Sequence, residues 1–409
     1  MKQKQQKQIQ MNNWKAGRKI LLGITGGIAA YKIPGLVRLI KKAGCEIEII
    51  LTEAAKNFVA PMTLETLSGR KIWTENNFDF NIPHVNLTQW ANVFVIAPCT
   101  ANTLAKIAHG ISDNLLTSAV IASTCPLLIF PAMNENMYAN KATQENIKIL
   151  SERGIKVINP AEGELACGVS GKGRMNEPEE ILLEIFRALY PVHDLVNKKV
   201  LITAGPTHEY LDPVRFISNP STGKMGAAMA RAAWYRGAEV KIISGPVNFN
   251  FNSYGFEVIK IKSALEMLEA VKKNLSWADF IVKAAAVGDY RAKNFSPQKI
   301  KREGKNDLVI ELSQNPDISA EVGKLKRENQ ILIGFAAETQ NISENAREKL
   351  ARKNLDYILA NDVSEKNSGF AVDTNTVKLI PKDINKTEKI FSGLKDDIAC
   401  EIWDNVISL

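Results

Sequence analysis

Several apolar runs in this chain end in glycine-rich or polar segments, and those segments hold the side chains that could do chemistry. Gly23-Ile24-Thr25-Gly26-Gly27-Ile28 joins one such run to a helical pattern. Glycines let a backbone approach a phosphate, and a helix N-terminus offers free N–H groups. A tight turn alone would need the same residues, and the spacing is not the G-x-G-x-x-G of a standard dinucleotide site. Pro98-Cys99-Thr100-Ala101-Asn102-Thr103 and Pro131-Ala132-Met133-Asn134 follow apolar runs in the same way. They supply hydroxyls and amides, although Thr100 or Asn102 could equally cap a helix. His84 stands in Ile82-Pro83-His84-Val85, where a lone histidine is more often structural than catalytic. The four histidines (His84, His109, His193, His208) include no pair at helical ligand spacing, which argues against zinc or iron. Cys167 lies in a glycine-rich basic run, 166–175, without helix or strand periodicity, which reads as a mobile loop. Lys172 and Arg174 suit an accessible thiol of lowered pKa, while an idle surface thiol is the simpler reading.

The second half repeats the arrangement. Thr203-Ala204-Gly205-Pro206-Thr207 leads to Asn219-Pro220-Ser221-Thr222-Gly223-Lys224-Met225. Gly223-Lys224 resembles part of a P-loop, but Met225 stands where Ser or Thr would bind magnesium and Ser218 where the first glycine belongs. A helix beginning near 222–224 still offers N–H groups to an anion. Asp289 closes another apolar run, and Lys299, with Lys301, follows in a polar loop. Further on stand Asn315-Pro316-Asp317-Ile318, Phe335 before Glu338, and Lys349 with Lys353 four residues apart on a helical pattern. Two lysines at that spacing repel unless an anion or acid faces them. Set against several strand-end loops, a polyphosphate is a reasonable anion.

Alternating elements must position these loops. In the first half, 19–25, 46–51, 93–97 and 127–130 read as strands, and 28–42, 101–108, 114–121 and 135–153 as helices. In the second, 199–203, 239–244, 280–284 and 330–335 read as strands, with helices over 224–236, 263–273 and 342–353. A hairpin over 377–391 and a closing helix over 396–405 end the chain. Strands alternating with helices imply right-handed crossovers and parallel sheets, whose ligands sit at the carboxyl ends of the strands. The pattern restarts near residue 190, so the chain divides into a basic tail, 1–18, and domains over 19–190 and 191–409.

Composition sets limits on class. The 409 residues are 45% hydrophobic and 23% charged, which is globular. Five scattered cysteines without a Cys-x-x-Cys pair favour a reducing compartment, hence a cytoplasmic protein. Of the net charge of +8, six basic residues lie within the first 19, where there is no acid. The remaining +2 supports no nucleic-acid stripe, and the Lys/Gln-rich tail reads as disordered. The apolar stretch 115–133 is interrupted by Pro126 and Pro131, and reads as a buried helix and core strand rather than a membrane span.

Taken together, these residues resemble the bacterial bifunctional phosphopantothenoylcysteine decarboxylase / phosphopantothenate–cysteine ligase family of coenzyme A synthesis. The resemblance runs from about residue 19 onward. It rests on the turn at 26–32, His84 with Trp90, 101–103, 131–134 and the Cys167 loop, then on 203–207, 212–226, 289–290, 299–301, 315–318 and 335–338. It implies a flavodoxin-like FMN domain followed by a Rossmann-like nucleotide-binding domain. In the first, flavin chemistry provides the electron sink for decarboxylation. His84 matches the base and positioning residue, Asn134 the holder of the substrate carboxylate and Cys167 the proton donor, with Gly26, Gly27, Thr100 and Asn102 near FMN. In the second, CTP with Mg2+ (or Mn2+) activates 4′-phosphopantothenate as an acyl-cytidylate for attack by cysteine. Asn219 matches the contact to that intermediate. Asp289, Lys299, Asn315, Pro316, Asp317, Ile318, Phe335, Lys349 and Lys353 match nucleotide positions, with Lys299 neutralising phosphate. The family also implies a homo-oligomer. Cys99, Asn92 and Gly288 depart from the usual pattern without removing a catalytic group. The rivals are an inactive regulatory relative, a peptidyl-cysteine decarboxylase and a nicotinamide dehydrogenase. Retention of His84, Asn134 and Cys167, the ligase-like half and the glycine spacing speak against them in turn.

Overall fold

The computed structural model describes residues 14–75, 82–164, 170–248, 251, 256–301, 308–338, 342–362 and 372–407. The chain forms two compact units, Met1–Pro191 and Val192–Leu409.

The first unit is built on β1 (Lys19–Ile24), β2 (Glu46–Leu51), β3 (Val93–Cys99), β4 (Leu127–Pro131) and β5 (Lys156–Val157). Their order is β2-β1-β3-β4-β5, parallel throughout. That is flavodoxin-like order, whose reversal point lies between β1 and β3. β3 is buried along its whole length, as its unbroken apolar run requires when helices cover both faces. Phe94, Ile96, Leu104, Leu116 and Ile129 form the core on one face. The helix expected over 28–42 divides into a 3-10 turn, Ile28–Lys32, and an α-helix, Ile33–Lys42, because Pro34 fits only the first turn of a helix. Asn140 likewise divides 135–153 by capping Lys141–Glu152.

Two expectations need correction. Within the loop expected over 166–175, residues 170–174 form a strand: β7 (Ser170–Arg174) pairs antiparallel with β6 (Ala161–Glu164). Its glycines hide the strand, since Gly171 and Gly173 leave no alternation to read. The tail is also shorter than the composition suggests. Trp14 is only 8% exposed and packs edge-on against Phe186 and Tyr190, with ring centroids 5.6 and 5.0 Å away. Arg18 Nε donates to the Trp14 carbonyl at 2.8 Å. One aromatic side chain therefore folds residues 14–18 onto the domain, while residues 1–13 lie outside the described ones.

The second unit holds a sheet ordered β12 (Glu257–Lys260), β11 (Glu239–Ser244), β8 (Lys199–Ala204), β13 (Phe280–Lys283), β16 (Ile331–Glu338), β17 (Tyr357–Asp362), β18 (Thr374–Pro381) and β19 (Lys389–Leu394). The first six are parallel in Rossmann order, and β18 and β19 continue the sheet antiparallel. Short ribbons, β9 (His208–Tyr210) with β10 (Phe216–Ser218) and β14 (Tyr290–Ala292) with β15 (Leu312–Gln314), stand apart from it. The two ends of the unit meet at Arg236. Its guanidinium is fully buried and bonds Asp194 at 2.7 Å and also Asp404 of the closing helix Lys395–Ile407.

No helix among the described residues is long and apolar enough to cross a membrane.

Candidate functional site

In the first unit a cavity of about 580 Å³ opens at the carboxyl ends of β1, β3 and β4. Gly26, Gly27, Ile28, Tyr31 and Lys32 line it from the β1 side, Thr100 and Ala101 from β3, and Ala132, Met133, Asn134 and Met137 from β4. Gly173, Arg174 and Met175 complete it from the hairpin strand β7 and the residue after it. Hydrogen bonds fix the strand-end loops to one another. Thr25 Oγ1 donates to the Pro98 carbonyl at 2.7 Å and accepts from Thr100 N at 3.0 Å. Thr100 Oγ1 caps the helix Ala101–His109, and Met133 N donates to the Gly173 carbonyl at 3.0 Å. Gly26 sits where an added Cβ would come 2.5 Å from Ala54 Cβ. Gly173, with φ +149, would bring one 2.2 Å from the Met133 carbonyl oxygen.

The lining pairs apolar surface with positive charge. Ile28, Ala29 and three methionines offer flat contact, and Lys32 and Arg174 stand at one side. Both cations reach Glu177 at 2.7 Å. Partial burial opposes the Glu177 charge, but Lys32 and Arg174 together hold its carboxyl below the usual range. Such a cavity falls within the 300–1,000 Å³ typical of ligand sites. It suits a flat, largely apolar ligand with an anionic end.

Gly26, Gly27, Thr100 and Asn134 are thus brought together. Asn134 Oδ1 accepts from Asn136 N at 2.9 Å, so the residue also caps a short helix, Glu135–Ala139. Asn102 is exposed on its helix and does not line the cavity. His84 is half-buried at the start of the helix Pro83–Trp90 and is likewise not among the lining residues. Cys167 lies outside the described residues.

In the second unit a cleft of about 370 Å³ opens beside the reversal point between β8 and β13. Its floor is the loop 284–289, and two asparagines brace that loop. Asn219 Nδ2 donates to the Ala286 and Val287 carbonyls at 3.3 and 3.1 Å. Asn315 Nδ2 donates to the Gly288 carbonyl at 2.8 Å, and its N–H to the Asp289 carbonyl at 2.8 Å. From beneath, the Thr207 hydroxyl accepts from Gly288 N at 2.9 Å, and the Thr203 hydroxyl from Ala285 N at 3.3 Å. The segments that drew attention in the sequence therefore converge on one loop.

The helix Lys224–Tyr235 opens into the cleft. Gly223, at φ +74, is its N-cap, and no side chain caps it. Asp289, Asn315, Pro316, Asp317, Ile318, Phe335, Lys349 and Lys353 all line the cleft. Asp317 caps the helix Ile318–Leu325 and meets Lys353 Nζ at 3.0 Å. Burial alone would raise the Asp317 pKa, but the Ala320 N–H and Lys353 pull it below the usual range. Five lysines line the cleft against two aspartates, a balance suited to a polyanion.

Lys299 is not among the lining residues. It is exposed beside Ile300, whose N–H donates to Asp212 Oδ2 at 3.0 Å. The Asp212 side chain is fully buried and also accepts from Val214 and Arg215 N–H at 2.7 Å. Desolvation works against its charge, and the three N–H groups nevertheless hold its carboxyl below the normal range. The loop carrying Lys299 is thereby anchored at its base.

Sequence reasoning missed Lys283, Asn361, Asn375 and Lys395 and set Lys224 aside with the failed P-loop match; all of them line the cleft wall. Asn375 and Lys395 arrive from the closing hairpin and helix, more than a hundred residues beyond Asn219, with no local signal. Lys283 did leave one: a lysine ending the otherwise apolar strand Phe280-Ile281-Val282.

Comparison with known proteins agrees with this division. Residues 9–189 match the family described as Flavoprotein, and residues 195–409 the DNA/pantothenate metabolism flavoprotein C-terminal domain. The chain is 44% identical over 398 residues to the coenzyme A biosynthesis bifunctional protein CoaBC of Bacillus subtilis (strain 168), covering 96% of this chain and 97% of that one. It is 45% identical over 372 residues to the protein of that name from Vibrio cholerae, covering 90% and 93%. Among solved structures, the C-terminal domain of CoaBC is 38% identical, with coverage of 53% of this chain and 96% of that one, and a TM-score of 0.43.

Proposed function

Because the chain belongs to the CoaBC family of coenzyme A biosynthesis bifunctional proteins, we propose that its two sites perform the ligase and decarboxylase steps in succession. The second unit joins cysteine to 4′-phosphopantothenate, with CTP as co-substrate and Mg2+ (or Mn2+) accompanying it. The first unit decarboxylates the resulting phosphopantothenoylcysteine to 4′-phosphopantetheine with FMN. The observation that carries this reading is the placement of both cavities: each lies at the carboxyl ends of strands beside a reversal in strand order, with a donor set suited to its ligand.

Ligation needs the pantothenate carboxylate activated, because its oxygen is a poor leaving group. In this reading Asn219, already bracing the floor loop, contacts the acyl-nucleotide. Lys349, Lys353 and the open start of Lys224–Tyr235 hold the phosphate chain, and the departing pyrophosphate meets positive charge already in place. Asp289, Asn315, Pro316, Asp317, Ile318 and Phe335 shape the nucleotide pocket. Lys299, exposed outside the lining, neutralises phosphate charge in this reading.

The residues of the first cavity fit FMN. Gly26 and Gly27 leave room for a close approach, the methionines offer flat apolar contact, and Lys32 and Arg174 suit its phosphate. When bound, flavin supplies the electron sink that lets the carboxylate leave as CO2. Asn134 orients the substrate carboxylate, His84 positions it and accepts a proton, and Cys167 returns one at the end. We place the protein in the cytoplasm, as a homo-oligomer. The match to bifunctional relatives over nearly the whole chain speaks against a purely regulatory role.

The test is an assay with 4′-phosphopantothenate, cysteine, magnesium and either CTP or ATP. Pyrophosphate release with CTP is expected; none with either nucleotide refutes the ligase reading. The purified protein is expected to be yellow, and a colourless preparation that FMN cannot reconstitute refutes the decarboxylase reading.

A further inference from the structure

Lys283 ends β13 at the cleft, yet it is only 5% exposed and its Nζ has no hydrogen-bond partner among the described residues. A buried amine left unpaired is costly, and such groups are retained where something arrives to pair them. The flanking strands offer no counter-charge, since Gly334 of β16 and Thr203 of β8 stand in register beside it. The charged groups around the cleft are Asp317 at the start of Ile318–Leu325, Lys349 and Lys353 from Ile342–Arg352 and its end, Asp289, Lys224 and Lys395. Among the described residues Asp317 is the acid that acts on Lys283, and Lys353 already occupies it.

We propose that the Lys283 amine is a further binding residue of this cleft, which takes up a proton as it pairs with an anionic phosphate oxygen of the nucleoside triphosphate. The inference rests on the nucleotide reading of the site and adds to it a residue and a proton. Burial lowers the Lys283 pKa to about 7, against which Asp317 acts only weakly. The free amine is therefore largely neutral above pH 7, and a bound phosphate favours its charged form. Affinity contributed by Lys283 is greatest below pH 7. It declines as pH rises toward the pKa of the bound amine.

The test compares full-length wild type with Lys283→Met by calorimetric titration of CTP–magnesium, and of inorganic triphosphate, at pH 6.5 and 8.5. Each is run in two buffers of different ionisation heat. Met keeps the volume without the charge, and its thermal unfolding is expected to match or exceed wild type. Wild type is expected to bind at least about tenfold more tightly at pH 6.5, the strength of one charge-assisted hydrogen bond. The gap should narrow at pH 8.5, where wild type takes up more protons per ligand than the variant. Equal affinities, or equal proton uptake, overturn the assignment while leaving the nucleotide reading intact. Binding of neither CTP–magnesium nor triphosphate by wild type overturns both. Should Lys283→Met not fold, Lys283→Gln and the wild-type proton uptake alone decide: no uptake at pH 8.5 refutes the proposal.

Discussion

Replacing Asn219 by Asp tests how the cleft floor is held. The Asn219 amide donates to two carbonyl oxygens, those of Ala286 and Val287. Each such bond contributes about 1 kcal/mol net, so Asn219→Ala should loosen the floor by about 2 kcal/mol. Expressed wholly in catalysis, that is about a 30-fold loss in kcat/KM for ligation. Asn219→Asp does more harm at neutral pH, because a carboxylate then faces two acceptors. Its pKa must rise, since only the protonated acid can donate to a carbonyl. The folded-state pKa then exceeds the unfolded value, so the native loop is favoured at low pH and lost as pH rises through the shifted pKa. The Asp defect should shrink as pH falls toward 5, while the Ala defect stays flat. Ligation is followed by pyrophosphate release, and decarboxylation of supplied phosphopantothenoylcysteine serves as the control. Identical pH profiles for the two variants, or wild-type ligation by either, would refute the bracing argument.

Other changes probe separate parts of the molecule. Trp14→Ala removes a buried ring and two edge-on contacts and should cost about 3 kcal/mol, read as a lower denaturant midpoint of the first unit with ligation unchanged. Gly26→Ala drives a Cβ to 2.5 Å from Ala54 Cβ and should cost about 1–3 kcal/mol; the purified variant is expected to retain less flavin absorbance while still ligating. Asp212 is held below the usual carboxylate range by three N–H donors despite its desolvation. Its contribution is therefore present at neutral pH and is lost as pH falls through its depressed folded-state pKa. Denaturation at pH 7 and at acid pH should show a loss in wild type that Asp212→Asn lacks.

Much of the fold was legible because the central strands are buried on both faces. Unbroken apolar runs at 93–97 and 127–130 admit few other readings, and the extra residues found at their ends are only strand extensions. The ribbons of three residues each were not legible, since a strand of that length is too short to show alternation. Strand order was also hidden: nothing local places β3, rather than β2, on the cavity side of β1. In the cleft, Asp289 could be picked out because it closes an apolar run, whereas Asn219 and 315–318 stood out through the family resemblance. Lys299 was named through the same resemblance but stands outside the lining, since its loop is fixed by Asp212 and Arg215 rather than by the sheet. The mixed aromatic and basic character of residues 14–18 was masked by the Lys/Gln-rich residues before them.

Arg236 has a consequence for where this polypeptide may be cut. Its buried guanidinium is neutralised from both extremities of the second unit, by Asp194 just inside the beginning and Asp404 in the final helix. The entrance and exit of that unit are thus clasped at a single point. A fragment begun a few residues later, or trimmed by its last turn of helix, would leave the guanidinium one acid instead of two, and one shortened at both ends would strand a positive charge in a dry interior at a cost of about 3–5 kcal/mol. Dissection of the two halves should therefore keep both acids, whereas rejoining the clasped extremities and opening the chain elsewhere should leave the unit whole.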